Sequence, residues 1–195
     1  MHLVVGLGNP GPDYADTRHN LGWWVVERLA RRWSARPHER TATYRSWIAE
    51  FAERPVTLLE PLTYMNVSGE AVRTWREHRG PEAPDGLLVI ADDVYLPVGL
   101  LRLRPSGASG GHKGLENIEQ ELGTRDYARL RIGVGAAEGS KLEDHVLAEP
   151  EGDERRSLEA AADLAADAVE VWMAQGIHSA MNRFNRKATK EVSES

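Results

Sequence analysis

Thr17-Arg18-His19-Asn20 places a histidine in a loop region, shortly after the glycine-rich turn Gly6-Leu7-Gly8-Asn9-Pro10-Gly11. Far along the chain, the apolar run Leu87-Leu88-Val89-Ile90-Ala91 ends in Asp92-Asp93. Such a run reads as a buried strand, as does His2-Leu3-Val4-Val5-Gly6. In open α/β sheets, functional groups gather beyond the carboxyl ends of strands. Asp92 and the residues that follow the first strand can therefore meet at one edge of a sheet. A histidine oriented by a buried carboxylate is a general base that works near neutral pH. Two asparagines fall at the same edge. Asn9 follows the first strand, and Asn66 lies in Pro61-Leu62-Thr63-Tyr64-Met65-Asn66-Val67-Ser68-Gly69, which joins a strand to a helix. A side-chain amide offers a donor and an acceptor, which suits it to hold a peptide bond or an oxyanion.

Each of these residues also has a plainer role open to it. A loop histidine can be a surface or capping residue, and Asn66 or Ser68 can cap a helix. The glycines can serve a tight turn that needs glycine dihedrals. Other chemistries fit less well. Gly6 to Gly11 matches a dinucleotide-binding pattern, but Pro10-Gly11-Pro12-Asp13 prolongs the loop where that fold needs an immediate helix. Ser68, Ser106 and Ser109 lack the glycine-flanked elbow of a serine hydrolase. There is no Cys, so a thiol nucleophile is excluded. His2, His38, His78, His112, His145 and His178 show no metal-ligand spacing, so no metal site is expected. Gly107 to Gly114 is a glycine-rich loop without the P-loop pattern. Around it, Arg102 and Arg104 share one strand face by period two, and so do Arg129 and Arg131. If those strands are neighbours, they form a cationic cluster able to grip phosphate; otherwise they are solvated charge.

The elements that must position these groups are legible as a pattern. A helix is expected over Trp23 to Trp33, a hairpin from residues 43–51 and 55–59, and a helix from Ser68 to about His78. Short strands are expected at 100–104 and at Tyr127 to Val134, with a helix over 113–122 between them. From Asp153, Leu158, Ala161, Ala162, Ala165, Val169 and Trp172 form one apolar helical stripe, whose acidic opposite face reads as solvated. A short basic helix, Met181 to Arg186, follows. Interleaved strands and helices with a hairpin among them define an α/β class: a single domain with a twisted mixed sheet, flanked by helices in three layers, and a helical C-terminus. Residues 1–187 are expected to form that domain and 188–195 a frayed tail. The 195 residues carry a net charge of −6, which taken whole argues against a nucleic-acid binder. Seven acids against two arginines in 151–175 hold much of that charge, so a local basic patch remains open elsewhere. The sequence has no apolar run of about 18 residues. The N-terminus lacks the basic region of a signal peptide, and with no Cys a cytoplasmic protein is expected.

In combination and order, VGLGNPGPDYADTRHNLGWWVVERLA, EPLTYMNVSGEAV, ADDVYLPVGLLRLR, GASGGHKGL, RLRIGVG and DHVLAEPEGDE resemble the bacterial-type peptidyl-tRNA hydrolase family. The resemblance spans about residues 4–154 and extends to the helical C-terminus. It implies hydrolysis of the ester between a peptide and the terminal ribose of tRNA, without metal or cofactor. By matched position it implies His19 as base and Asp92 as its orienting carboxylate. Asn9 and Asn66 would position the peptide and the reacting ester, and Tyr14 and Met65 would line the cleft. Arg104 and Arg131 would hold the tRNA 5′-phosphate. A monomer without an obligate protein partner or membrane contact is implied too. The chain departs from the family pattern at Lys113, where Asn is usual and substrate contact is expected. It also departs at Glu60, where a basic residue is usual, and at Ala136-Ala137, where Arg-Pro is typical. The family includes plant-organelle relatives that act in RNA splicing, so a catalytically weak RNA-binding paralogue is the alternative. His19, Asp92, Asn9 and Asn66 are what separates the enzyme from it.

Overall fold

The computed structural model describes residues 1–79, 86–136 and 141–185. One seven-stranded sheet runs through them. Its strands are β1 (His2–Gly6), β2 (Arg36–Arg40), β3 (Tyr44–Phe51), β4 (Arg54–Pro61), β5 (Gly86–Asp93), β6 (Leu101–Arg104) and β7 (Ala128–Gly133), in the spatial order β2-β3-β4-β1-β5-β7-β6. The inner strands β4, β1, β5 and β7 run parallel, while β2, β3 and β6 add antiparallel margins. The helices are α1 (Leu21–Arg32), α2 (Ser68–Arg79), α3 (Lys113–Leu122), α4 (Leu142–Val146), α5 (Gly152–Gln175) and α6 (Ile177–Phe184). No helix among the described residues is long and apolar enough to cross a membrane.

The parallel strands are buried on both faces, which is why they read as unbroken apolar runs. On one face Val4, Leu58, Leu88 and Leu130 pack under α1, α5 and α6 through Val26, Leu29, Ala165 and Phe184. On the other, Val5, Leu59 and Val89 pack under α2 and α3 through Val72, Trp75, Leu115 and Ile118. This is the expected three-layer mixed α/β fold. The apolar stripe of α5 is buried as its spacing predicts. Its acidic face, by contrast, is more than a solvated surface. Asp163 and Asp167 pair with Arg28 and Arg32 of α1, and Glu170 accepts from Trp33 Nε1.

Three local features differ from expectation. Strand β2 pairs with β3 at the margin of the sheet, and its mostly exposed residues carry no alternation to announce it. Helix α4 is a short additional element, and α6 starts directly after Gly176, earlier than the basic stretch suggests. Arg186, Ala137 and the tail 188–195 lie outside the described residues. Glu60, the acid in place of a basic residue, is buried and its Oε2 accepts from Arg45 Nε. Arg45 lies over the rings of Trp23 and Trp47, at 5.0 and 5.3 Å from their centroids. Burial pushes the Glu60 carboxyl up to about 8, against the pull of Arg45.

In the first turn Gly6 and Gly8 are there for proximity, whereas Gly11, with a φ of 110°, is there for dihedral freedom. Gly6 and Gly8 do not have positive φ. A Cβ on Gly6 would lie 2.2 Å from the carbonyl oxygen of Gly22, and one on Gly22 would lie 2.3 Å from the Leu7 nitrogen. Helix α1 therefore sits directly on the end of β1, and this seat sets the height of the turn that precedes it. Gly22→Ala should lower stability by about 1–3 kcal/mol or more, because only backbone surrounds the added methyl. Thermal unfolding of the variant measures this; an unchanged midpoint would show that the seat can yield.

Candidate active site

Three turns of chain and one strand end converge beyond the carboxyl edge of the parallel strands. β1 delivers Asn9. A 3-10 turn, Arg18–Asn20, delivers His19 just before α1. β4 leads into a second 3-10 turn, Met65–Val67, that carries Met65 and Asn66, and β5 ends in Asp92. These residues, with Tyr14, Lys113 and Arg131, line one cleft of about 440 Å³. Arg104 is not among its lining residues; it stands exposed on β6.

At the floor of the cleft, His19 Nδ1 lies 2.8 Å from Asp92 Oδ1. Asp92 is buried, and that same oxygen also meets His112 Nε2 at 3.0 Å. His112 sits at the N-cap of α3, where its Nδ1 accepts from the Leu115 N–H. A neutral ring that accepts at Nδ1 carries its proton on Nε2, so His112 donates to Asp92. His19 likewise donates from Nδ1, which leaves its Nε2 lone pair for the cleft. Full burial disfavours the Asp92 anion, yet the two histidines hold its carboxyl far below the usual carboxylate range. Burial disfavours the His19 cation as well. The charge and hydrogen bond of Asp92 outweigh that, helped by Glu143, and His19 titrates above its ordinary 6.5.

The two histidines and Asp92 bring three possible metal-ligand atoms within 4.8 Å of one another. Their spacing along the chain gave no sign of this grouping. The donor set nevertheless suits a proton better than a metal. An Nε2-bound metal would leave His112 Nδ1 protonated against the Leu115 N–H, two donors facing each other.

Asn9 is held with equal care. Asn20 closes a reciprocal pair with the Asn9 backbone, accepting from its N–H and donating to its carbonyl, both at 2.9 Å. Asn9 Oδ1 then accepts from the Met65 N–H at 2.7 Å, which leaves the Asn9 amide hydrogens available to the cleft. Asn66 is exposed, and the Ser68 hydroxyl donates to the Met65 carbonyl, which is not the N-cap role open to it, since an N-cap accepts from a backbone N–H. Arg18, buried beside His19, grips Glu154 with two hydrogen bonds of 2.7 Å and also donates to the carbonyls of His145 and Ala148. The His19 turn is thereby tied to α4 and the start of α5.

On the other side of Asp92, the arginine pairs do lie on adjacent strands, with Arg102 opposite Arg131 and Arg104 opposite Arg129. They do not form one free cluster. Arg129 is 1 % exposed and donates to Glu119 and to the Arg125 carbonyl. Arg131 faces Asp93 and donates to the carbonyls of Ala108 and Ser109, so it braces the glycine loop. Gly110 fits there because of its φ of 60°, and a Cβ would crowd the Arg131 guanidinium at 3.2 Å. Lys113 opens α3 at the lip of the cleft. His112, Asn20 and Arg18 are functional neighbours that sequence reasoning passed over. Their only signal was local: a histidine before a helix, and polar residues flanking His19.

A histidine, a buried carboxylate and two amides thus meet at the C-terminal edge of an α/β sheet. The family model described as peptidyl-tRNA hydrolase matches residues 3–192. The chain is 46% identical over 189 residues to a peptidyl-tRNA hydrolase of Symbiobacterium thermophilum, covering 94% of this chain and 98% of that one. It is 44% identical to one from Salinibacter ruber, with coverages of 94% and 97%. The crystal structure of peptidyl-tRNA hydrolase from Acinetobacter baumannii superposes with a TM-score of 0.87 at 36% identity, covering 95% of this chain and 94% of that chain. The chain belongs to the peptidyl-tRNA hydrolase family.

The electrostatics of the floor have a direct readout. In an NMR titration His19 should have a midpoint above 6.5, because the carboxylate stabilises its cation. Asp92→Asn removes that charge and leaves burial, so the midpoint should fall. A midpoint that stays in place would show that Asp92 does not govern the imidazole.

Proposed function

We propose that His19 is the general base of a hydrolase that cleaves the ester between a peptide and the 3′-terminal ribose of tRNA. The observation that carries this reading is the His19–Asp92 pair at the floor of the cleft, with the Nε2 lone pair of His19 turned toward it. Nε2 takes a proton from a water molecule as its oxygen attacks the ester carbonyl. The amides of Asn9 and Asn66 supply donors for the charge that develops on the carbonyl oxygen. When the carbon–oxygen bond to ribose breaks, the His19 imidazolium returns the proton to the departing ribose oxygen. The products are a peptide carboxylic acid, which ionises, and a free tRNA hydroxyl. Asp92 keeps the ring in the right tautomer, and His112 holds Asp92 from its other side. No step needs a metal. A paralogue that only binds RNA is not favoured, since base, carboxylate and amides are assembled together.

Arg131 and Lys113, with the first N–H groups of α3, make the lip suited to phosphate, and Arg104 extends it over β6. We assign this side to the acceptor end and 5′-phosphate of tRNA, and Tyr14 and Met65 to the wall against the ester. Lys113 contributes charge where the family usually places an amide. We further read residues 1–187 as one domain that works as a monomer in the cytoplasm, where translation supplies the substrate. Every group named above comes from one chain.

Two measurements test the reading. His19→Ala should reduce hydrolysis of N-blocked aminoacyl-tRNA by about 10²–10⁴-fold while tRNA binding persists. Activity within a few-fold of the parent would remove His19 from the role of base. Arg104→Ala should weaken tRNA binding and reduce the slope of log affinity against log salt by about one. An unchanged slope would place the phosphate elsewhere. Arg104 is the cleaner probe, because Arg131 also holds the glycine loop.

A further inference from the structure

The two flanks of Asp92 differ in charge. The flank of His112 carries Lys113 and Arg131. The flank of His19 is closed by α4, which Arg18 holds through the His145 and Ala148 carbonyls. From α4, Leu142, Glu143 and Val146 line the cleft, next to Val94 and Tyr95 at the end of β5. The exposed side chain of Glu143 lines the same cleft as His19. It makes no ion pair with another described residue, whereas Asp92 is shared by the two histidines and Asp93 faces Arg131. Leu142 remains 40% exposed beside it. An apolar wall beside an exposed carboxylate that has no ion pair among the described residues matches one kind of side chain: a long aliphatic stem with a cationic head.

We propose that Glu143 makes this cleft selective for lysine or arginine as the amino acid esterified to the tRNA. The stem lies along Leu142, Val146 and Val94, and the cationic head meets the Glu143 carboxylate. The same carboxylate repels an acidic side chain at that position. The cleft is thus polarised across the scissile ester, with the nucleotide on the cationic flank and the amino acid on the anionic one. This rests on the hydrolytic reading above.

The test uses one tRNA acylated chemically with Nα-acetyl-lysine, Nα-acetyl-norleucine or Nα-acetyl-glutamate, so that only the side chain differs. Norleucine keeps the aliphatic stem of lysine without its charge. At low salt, kcat/KM for the lysyl ester should exceed that for the norleucyl ester by about two- to fivefold, and the glutamyl ester should be the slowest. Raising the salt should shrink the ratio. In Glu143→Gln the lysine-to-norleucine ratio should fall to about one, and in Glu143→Lys the glutamyl ester should become the preferred one. Ratios are compared within each enzyme, so any change in the base strength of His19 cancels. Equal handling of lysine and norleucine by the parent enzyme overturns the proposal, and so does a preference that survives Glu143→Gln. If the parent hydrolyses none of the three esters, the hydrolytic reading itself falls, and the selectivity with it.

Discussion

A single buried carboxylate oxygen organises this molecule. Asp92 Oδ1 receives His19 and His112 from opposite sides, at 2.8 and 3.0 Å. An anion in such a place is costly unless hydrogen bonds meet it, and two ring N–H groups do so. That arrangement sets the tautomer of neutral His19, because a ring that donates from Nδ1 can accept only at Nε2. It also dictates architecture. Asp92 must arrive from β5, His19 from the turn before α1, and His112 from the glycine loop before α3.

Each arrival is fixed by its own device. The His19 turn is pinned by the close seat of α1 on β1, by the Asn20–Asn9 exchange and by the grip of Arg18 on Glu154. The glycine loop is braced by Arg131, which itself faces the neighbouring Asp93. The parallel strands end together at the carboxyl edge, so small adjustments at these turns are enough to focus side chains from distant parts of the sequence on one point.

How much of this was legible in the sequence follows from the range of the interactions involved. α3 begins and ends where its pattern indicated, since its apolar spacing and flanking glycines are local signals. The His19–Asp92 pairing was legible as an edge of a sheet, and the family motifs supplied the roles. The partnership of His112 with Asp92 was not, because it joins a loop to a strand end with no periodic pattern. The glycines of the first turn were seen, and the dihedral reason holds for Gly11, but Gly6 and Gly8 instead admit the close approach of α1. Strand β2 is mostly exposed and so lacks alternation, and α4 is too short to show a period. The acidic face of α5 looked solvated because its arginine partners lie far back in the sequence.

The clamp between Arg18 and Glu154 joins residues separated by 136 positions. Seen as an event in time, it is the late member of the set of contacts that hold the His19 turn. On a ribosome that adds ~5–20 residues each second, the loop that bears His19 waits roughly 7–27 s before its anchor has been synthesised. During that interval β1 and α1 can collapse together, but α4 and α5 are still missing, and with them one wall of the cleft. The clamp therefore closes only once the start of α5, 136 residues further on, has been made.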